Sequence, residues 1–353
     1  MLMIYKRSLK DLEKIKKNGY KVFSCFSCWG GSSMGYKNAG YEVIGTCEID
    51  PEMDRIYQAN LGKGYNYLMG VQDFKNIPKY DIPSELFNLD ILDGSPPCST
   101  FSTAWLREKA RGKEKKFREG QAKQVLSDLF FDYLDVVEKL QPKVVVAENV
   151  SGMLKGNAKG YLKLIFQRFD ELGYDVQLFL LNGATMGLPQ RRERVFFVAH
   201  SRKYKLPKLK LDFNEKPILF KDIKYSKLNN RPLSWKALLL TKYAKFWDKD
   251  LSNACKRYEG KDNFFTFSRI YPEKVCNTII WNDANIVRGE NRHLNTVELK
   301  LAGSFPLDYN FQDIKPNYLI GMSVPPLMMY KVSNEIKKQR LDLIYNSQEN
   351  DRL

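Results

Sequence analysis

Strand-like and helix-like segments alternate along the first two hundred residues, and this alternation limits the possible folds more than any other feature of the chain. Six short runs are rich in β-branched and other apolar residues: Val22–Ser27, Tyr41–Cys47, Leu89–Leu92, Val144–Ala147, Val176–Leu181 and Val195–Ala199. Segments with the longer apolar period of helices lie between them. Such alternation predicts an α/β fold with a doubly wound, mostly parallel sheet, in which ligands bind beyond the carboxyl ends of the strands.

The predicted helices have recognisable ends and faces. Asp50-Pro51 supplies an N-cap and a proline at the first helical position. Apolar residues from Val125 to Leu140 recur at helical spacing, and a similar stripe from Tyr161 to Leu172 is stopped by Gly173. The wholly apolar run Val144–Ala147 is typical of a central strand that is covered on both faces.

Regular periodicity ends near Ser201. Lysines and aromatic residues follow irregularly to about Asn291, and regular signals return with Thr296–Ala302 and after Pro325-Pro326. We therefore expect residues 1–200 to form one domain, residues 201–291 a smaller domain, and residues 292–353 a segment that returns to the first domain.

The positive charge is concentrated in the predicted smaller domain. The whole chain has a formal net charge of +16, and residues 201–260 contain 16 Lys/Arg and 6 Asp/Glu, which gives 16 − 6 = +10. A concentrated positive field favours a polyanionic partner, most simply nucleic acid. On charge alone, a lysine-rich solvated surface explains the same composition equally well.

Composition excludes several classes of function. No run approaches 18 apolar residues, which excludes a membrane-spanning helix, and the N-terminal stretch does not have the pattern of a secretory signal. Cys25 and Cys28 form a single CxxC without a second pair or a neighbouring histidine to complete a zinc site. Because His200 and His293 are the only histidines, we predict no metal site and no histidine-based acid–base catalysis.

The first two motifs follow two successive strands. In Phe26–Gly31 small residues allow close approach of a ligand to the backbone, and the helix that follows presents free N–H groups. Glu48 ends the next strand, at an offset from Gly30 that suits hydrogen bonds to both ribose hydroxyls. An exposed acid at a helix start is the ordinary alternative for Glu48.

Two further motifs follow later strands. In Ser95-Pro96-Pro97-Cys98 a stiff loop holds a cysteine at the end of a strand, where it is a candidate nucleophile or, alternatively, an inert core thiol. Glu148 directly follows the apolar strand. Burial there favours the protonated carboxyl and hence general-acid chemistry, although loop amides could also satisfy a carboxylate.

The fifth motif stands at a strand entrance. Gln190–Arg194 places three arginines within four positions, an arrangement that suits contacts to phosphates or base edges. A surface salt-bridge cluster is the alternative.

Taken in this order, the motifs resemble the C5-cytosine DNA methyltransferase family. The resemblance is carried by Phe26–Gly31, Pro96-Pro97-Cys98, Glu148-Asn149-Val150, Gln190–Arg194 and Gly321–Pro326. It covers nearly the whole chain except about 201–290, where that family has its variable target-recognition domain. The resemblance implies a Rossmann-like, S-adenosylmethionine-dependent fold, residues 1–200 as the catalytic and cofactor-binding domain, residues 201–291 as the target-recognition domain, and double-stranded DNA as partner.

The resemblance also implies a mechanism. The Cys98 thiolate would add to C6 of a flipped-out cytosine, so that C5 can attack the methyl donor. Glu148 would stabilise or protonate N3, Arg194 would contact O2, and Arg192 would help to hold the extruded nucleotide or its phosphate. The base that removes the C5 proton is not assigned, and water is one candidate.

The implied cofactor is S-adenosylmethionine, with S-adenosylhomocysteine as product. The residues that the resemblance assigns to its site are Phe26, Ser27, Cys28, Trp29, Gly30, Gly31, Glu48, Ile49, Asp73, Phe74, Pro97, Leu129, Met322 and Ser323. Glu48 would bind the ribose and Asp73 the adenine amino group. Ser27, Cys28 and Met322 depart from the residues that are usual in the family.

The resemblance further assigns four residues to DNA contacts: Ser99, Arg107, Arg111 and Gln190. Three of them lie in Ser99–Gly120, which carries 7 Lys/Arg and 3 Glu, a net charge of 7 − 3 = +4. We expect this segment to close on DNA phosphates as a lid, although a plain linker has the same composition.

Three alternatives remain. A tRNA cytosine-5 methyltransferase of the same fold shares the catalytic motifs, but the Cys-Phe-Thr signature of that branch is absent from the recognition region. A methyltransferase for exocyclic amines would have an aromatic residue in place of Cys98. A catalytically silent DNA-binding module would not need Cys98 and Glu148.

As for context, we expect a monomer in the cytoplasm, of bacterial or phage origin, without membrane contact and in some genomes accompanied by a cognate restriction endonuclease.

Overall fold

The computed structural model describes residues 8–97, 114–115, 124–125, 129–154, 158–227, 231–265, 267–282 and 285–350. As far as they are described, residues 12–181, 193–212 and 329–353 form a larger compact unit, and residues 1–11, 182–192 and 213–328 form a smaller one. The sequence led us to expect domain boundaries after residues 200 and 291, where the periodicity changes. The compact units have other boundaries, because residues 182–192 and the helices between residues 292 and 328 pack within the smaller unit.

The larger unit is built around one sheet. The strands between residues 21 and 201 are β1 (Lys21–Cys25), β2 (Glu42–Glu48), β3 (Tyr65–Leu68), β4 (Ile91–Gly94), β5 (Glu114–Lys115), β6 (Gln124–Val125), β7 (Val144–Val150), β8 (Tyr174–Asn182) and β9 (Glu193–Ser201). β5 and β6 pair with each other, and the other seven form a sheet in the order β3-β2-β1-β4-β7-β9-β8. Of these, β3 was not predicted, because Tyr65–Leu68 is short and largely exposed.

Most neighbouring strands of this sheet are parallel. β1 pairs in parallel with β2 and β4, β2 with β3, and β4 with β7. β9 instead runs antiparallel to β7, with Val150 opposite Arg194 and Val144 opposite His200. The predicted doubly wound, mostly parallel α/β sheet is confirmed, and the reversal brings the start of β9 to the edge at which β7 ends.

Apolar burial fixes the centre of the sheet. The predicted run Val144–Ala147 has no exposed surface. Val145 and Ala147 pack in one core with side chains from β1, β4, α5 and α6, among them Phe23, Leu92, Phe130 and Ile165. At about 1.5–3 kcal/mol per fully buried large apolar side chain, this cluster is the main stabilising element of the unit.

The helices are α1 (Leu9–Glu13), α2 (Gly31–Asn38), α3 (Pro51–Leu61), α4 (Val71–Phe74), α5 (Leu129–Leu140), α6 (Ala158–Glu171), α7 (Trp235–Tyr243), α8 (Ser252–Glu259), α9 (Thr296–Gly303), α10 (Pro316–Met322), α11 (Pro326–Ile336) and α12 (Asp342–Asn350). A π-helical turn, Lys337–Leu341, joins α11 to α12.

Local chemistry explains where the predicted helices begin and end. The Asp50 carboxylate accepts hydrogen bonds from the backbone N–H groups of Glu52 and Met53, so the predicted N-cap of α3 is confirmed. Gly173 has φ 78°, a conformation that favours glycine just after α6. The predicted helix from Val125 is wrong at its start, because Val125 pairs with Glu114 in the short β5–β6 ladder.

The smaller unit contains more regular structure than the sequence predicted. It includes α7 to α10 and a three-stranded sheet formed by β10 (Ser268–Ile270), β11 (Asn285–Val287) and β12 (Arg292–His293). Ala237, Leu240, Leu251 and Cys255 of the α7–α8 region form a compact core with Ile286 of β11. The short elements and exposed aromatic residues hide this pattern in the sequence, which explains why the region looked irregular.

No helix in the described ranges is both long enough and apolar enough to cross a membrane.

Candidate active site

The ends of the parallel strands bring together most of the predicted site of the larger unit. β1, β2, β4 and β7 end at residues 25, 48, 94 and 150. Because the carboxyl ends of parallel strands share one edge of a sheet, the loops that begin at these residues are neighbours, as the motifs predicted.

The loop after β1 is held in a left-handed conformation. Phe26 and Cys28 have φ of 53° and 50°, and Gly30 has φ 81°. A Cβ atom on Gly30 would lie 2.3 Å from Cδ1 of Leu61, so both the backbone and the available space require glycine there. In the loop Phe26–Gly31 only Phe26 and Cys28 are partly exposed, while Ser27, Trp29 and both glycines are buried.

Glu48 connects this loop to the loop after β2. Its Oε2 accepts a hydrogen bond from the Cys28 N–H at 2.8 Å, and its Oε1 accepts one from the Asp50 N–H at 3.0 Å. Burial raises the pKa of Glu48 to about 7, while these backbone donors oppose the shift. Glu48 is therefore a buried, oriented carboxylate and not the exposed helix-start acid of the alternative interpretation.

A small apolar cleft lies beside Glu48. It is lined by Phe26, Cys47, Ile49, Met69, Gly70, Val71 and Gln72. Asp73, in α4, is exposed immediately after this lining. Glu48 and Asp73 are next in sequence to residues of this lining, so a buried and an exposed carboxylate adjoin the apolar cleft.

Two residues assigned to the cofactor site belong to the core instead. Phe74 is fully buried and stacks on Phe23 with ring centroids 5.2 Å apart, and it also meets Tyr67 edge-on. Leu129 is fully buried at the start of α5. The assignment of Phe74 and Leu129 to ligand contacts is therefore not supported, because neither side chain reaches solvent.

The strongest electrostatic contact of the site joins two of the predicted catalytic residues. Arg194 Nε lies 2.8 Å from Glu148 Oε1, and the two side chains are only 12% and 10% exposed. Arg194 of β9 stands opposite Val150, so it is diagonal to Glu148 on the same face of the sheet. Arg194 Nη1 donates to the Glu193 carbonyl at 2.8 Å. Burial lowers the pKa of Arg194, and the charge of Glu148 opposes this shift.

The end of β7 also anchors the loop that follows β4 and contains Pro96 and Pro97, here called the proline loop. Asn149 Nδ2 donates a hydrogen bond to the Pro96 carbonyl at 3.1 Å, and both residues are buried. This contact fixes the loop that leads to residue 98, and its significance was missed in the sequence, where Asn149 was only part of a motif. Pro97 is partly exposed, whereas Cys98, Ser99, Arg107, Arg111 and most of the expected lid lie outside the described residues.

Two residues of the fifth motif have structural contacts instead of the expected ones. Gln190 is fully buried; its Nε2 donates to the Ala302 carbonyl and its Oε1 accepts from the Ile279 N–H, both at 2.9 Å. The prediction that Gln190 contacts DNA is corrected on this ground.

Arg192 is 1% exposed, and its guanidinium donates to the carbonyls of Ile279, Gly321 and Ser323 at 2.8–2.9 Å. These contacts indicate a structural role for Arg192, in place of the expected contact to a nucleotide.

The remaining residues assigned to the cofactor are in the smaller unit. Met322 is 42% exposed at the end of α10. Ser323 is buried, and its hydroxyl donates to the Leu319 carbonyl at 2.8 Å. Within the described ranges no group of three or more His, Cys, Asp or Glu side chains is arranged to hold a metal ion.

Comparison with known proteins gives consistent matches. The sequence model of the family described as "C-5 cytosine-specific DNA methylase" matches residues 20–338. The Type II methyltransferase M.NgoPII of Neisseria gonorrhoeae is 33% identical over 213 residues, which is 58% of this chain but only 56% of that protein. M.AplI of Arthrospira platensis is 26% identical over 329 residues, 90% of this chain and 85% of that protein. A crystal structure of a prophage-encoded methyltransferase (E. coli) has a TM-score of 0.66 at 19% identity, over 91% of this chain and 99% of the other.

Proposed function

This chain belongs to the C-5 cytosine-specific DNA methylase family, and we propose that it transfers a methyl group from S-adenosylmethionine to C5 of a cytosine in double-stranded DNA. The chain aligns with about half the length of the Neisseria relative, so its own activity and substrate have to be argued from its own residues.

The observation that carries the proposal is the buried Glu148–Arg194 ion pair beside the anchored proline loop. Asn149 holds the Pro96 carbonyl, and Cys98 follows two residues later in the chain. Together with the Cys98 thiol, this carboxylate and this guanidinium would supply the three groups that cytosine methylation at C5 requires.

These groups have complementary tasks in the proposed reaction. The Cys98 sulfur forms a bond to C6 of the ring, and the electron pair of the C5–C6 double bond becomes available at C5 while negative charge spreads to N3 and O2. Glu148, in its protonated form, would donate a proton to N3, and Arg194 would contact O2. Arg194 Nη2 has no partner within the described part of the chain, and it is free for this contact. A positive group placed where charge develops favours the transition state over the ground state.

S-adenosylmethionine supplies the methyl group that becomes bonded to C5. Release then requires loss of the C5 proton to a base and expulsion of the Cys98 thiolate, which restores the C5–C6 double bond. Among this chain's residues, Glu48 would hold the ribose hydroxyls and Phe26 and Ile49 would enclose the adenine. Asp73 would receive the adenine amino group.

The DNA partner, the lid and the remaining context belong to the same proposal. Ring carbons are inaccessible in a stacked duplex, so the target base has to be extruded at a cost of a few kcal/mol. The basic segment Ser99–Gly120 and the +10 charge of residues 201–260 suit phosphate contacts. A monomeric state, a cytoplasmic location and a companion endonuclease stay predictions.

The test is methyl transfer from tritium-labelled S-adenosylmethionine by the full chain, with duplex DNA and tRNA as separate substrates, followed by bisulfite sequencing of the DNA. We expect label in DNA at C5 of one sequence context. Cys98→Ser should abolish transfer, whereas the matched control Cys255→Ser, in the core of the smaller unit, should retain it. Label in tRNA alone would favour the alternative enzyme, and undiminished transfer by Cys98→Ser would refute the assigned nucleophile.

A second variant tests the ion pair. Glu148→Gln should lower the rate of transfer by about 100-fold or more, since a general acid or charged partner contributes at least that much. Glu171→Gln, at the exposed end of α6, is the matched control and should leave the rate unchanged. Equal rates for the two variants would remove Glu148 from the reaction.

A further inference from the structure

A buried carboxylate that the mechanism does not use lies directly behind the proposed site. Asp93 of β4 is 1% exposed. Its Oδ2 accepts hydrogen bonds from the hydroxyls of Ser24 at 2.8 Å and Ser32 at 2.7 Å, and its Oδ1 accepts one from the Tyr36 hydroxyl at 3.2 Å. Three donors on two oxygens is the arrangement of a carboxylate and not of a carboxylic acid.

Within the described ranges this carboxylate has no cationic partner. Among the described residues no Lys, Arg or His side chain forms an ion pair with Asp93, although the chain has a strong excess of positive charge. Burial raises the pKa of Asp93 to about 6; the three hydroxyls oppose this shift and the charge of Glu148 adds to it. An unpaired buried anion costs stability, and a neutral amide of the same shape could fill the same space. The three hydroxyls hold the carboxylate in place, but they do not neutralise its charge.

The three partners of Asp93 point to a reason. Ser24 is two residues before Phe26, and Ser32 directly follows Gly31, so both ends of the loop after β1 are tied to this carboxylate. Asp93 is the last but one residue of β4, the strand that leads into the loop containing Pro97. The negative charge thus lies next to two loops, Phe26–Gly31 and the loop of Pro97, whose residues the resemblance assigns to the cofactor site.

We propose that the Asp93 carboxylate makes the site prefer the positively charged methyl donor over its neutral product. This inference rests on the proposed function. S-adenosylmethionine and S-adenosylhomocysteine carry the same amino acid and nucleoside groups, and they differ by the methyl group and by the positive charge of the sulfonium. A fixed anion near the sulfur attracts the donor by Coulomb interaction and has no such attraction for the thioether. After transfer the attraction is gone, which favours release of the product.

The difference between the two ligands gives a readout that a purely structural role would not produce. The quantity to measure is the ratio of dissociation constants, Kd of S-adenosylhomocysteine divided by Kd of S-adenosylmethionine, by isothermal titration calorimetry on the full chain. Asp93→Asn should lower this ratio by about tenfold, which is the Coulomb effect of one unit charge about 12 Å away at an effective dielectric constant of about 20. An analogue with a protonated amine in place of the sulfonium should follow the donor and not the product.

Matched controls separate this effect from a general loss of binding. Asp54→Asn changes another carboxylate that is only 7% exposed, whose partners are the side-chain amides of Gln58 and Asn66, and it should leave the ratio unchanged. Asp93→Ser is a second neutral variant, smaller than asparagine and still able to hydrogen-bond. We expect both Asp93 variants to fold, as judged by thermal unfolding, because they remove a costly buried charge.

The outcomes are distinguishable. If wild-type protein binds neither ligand, the proposed function fails. If wild-type protein binds both and Asp93→Asn weakens both equally, or changes neither, the charge inference is overturned while the function stands. Failure of both neutral variants to fold would also overturn it, because the fold itself would then require the carboxylate.

Discussion

The buried pair of Glu148 and Arg194 should be energetically coupled, and replacing both partners should cost less than the sum of the two single replacements. The test set is Arg194→Met, Glu148→Gln and the double variant. Methionine keeps the apolar stem of arginine, and glutamine keeps the shape of glutamate, so each single change removes charge without leaving a large cavity.

The geometry sets the magnitude. Two unit charges 2.8 Å apart attract each other by about 6 kcal/mol at an effective dielectric constant of about 20. Removal of both charges from water offsets most of this attraction, because the side chains are only 12% and 10% exposed. Arg194→Met leaves Glu148 buried without its cation, and the expected loss is about 3–5 kcal/mol in the free energy of unfolding. The double variant should lose at least about 1–2 kcal/mol less than the sum of the two single variants.

Urea-induced unfolding followed by far-ultraviolet circular dichroism measures these free energies for the four proteins of the cycle. The three variants should all lose methyl transfer while wild-type protein retains it, so stability and activity separate in the double variant. If Arg194→Met unfolds at the same urea concentration as wild-type protein, or if the single effects simply add, the ion pair does not have the assigned strength.

Three further predictions follow from single residues. Gly30→Ala should destabilise the protein by about 2–4 kcal/mol in thermal unfolding, because the residue has φ 81° and its new Cβ would lie 2.3 Å from a leucine side chain of α3. The control is Gly160→Ala in α6, whose new Cβ would meet no atom within 4 Å and which should be neutral or stabilising in the same assay. Arg192→Lys should lower the free energy of unfolding by about 2–4 kcal/mol, because lysine cannot donate to three carbonyls in the fixed geometry of a guanidinium. The control Arg191→Lys changes an exposed residue and should alter the free energy of unfolding by less than about 0.5 kcal/mol. Equal melting temperatures of the two variants would contradict the structural role of Arg192. Burial raises the pKa of Glu48 from 4.5 to about 7, so the folded state holds the carboxyl proton more tightly than the unfolded chain. The contribution of this proton to stability is complete below pH 4.5 and is lost as the pH rises to 7. Glu48→Gln should therefore reduce the fall in the free energy of unfolding between pH 5 and 8, measured by urea unfolding, by up to about 3 kcal/mol.

Local patterns were sufficient for the central fold. The period of apolar residues predicted the main strands and helices, and the capping chemistry of Asp50-Pro51 predicted the start of α3. The same alternation predicted that the ends of several strands form the site, since parallel strands connected by helices present their carboxyl ends at one edge. Glu48, Glu148 and the proline loop were found in this way.

Patterns failed where the outcome depends on contacts between distant residues. Periodicity shows that Phe74 and Leu129 are apolar, but only packing decides that they face the core and not a ligand. Gln190 and Arg194 belong to one five-residue motif, yet the first is buried in the smaller unit and the second faces Glu148 in the larger one. The helices of residues 201–291 were missed because short elements around a small core leave little apolar period.

The sequence by itself determined the main strands and helices of the first two hundred residues, because these depend on residues within a few positions of one another. It also determined which chemical groups end the strands. Tertiary structure alone decided which of those groups meet: the reversal of β9 brings Arg194 to Glu148 across 46 residues of chain, and three hydroxyls 57 to 69 residues away enclose Asp93. Charges and donors so far apart in sequence interact only after the backbone has folded, so their pairing leaves no local pattern.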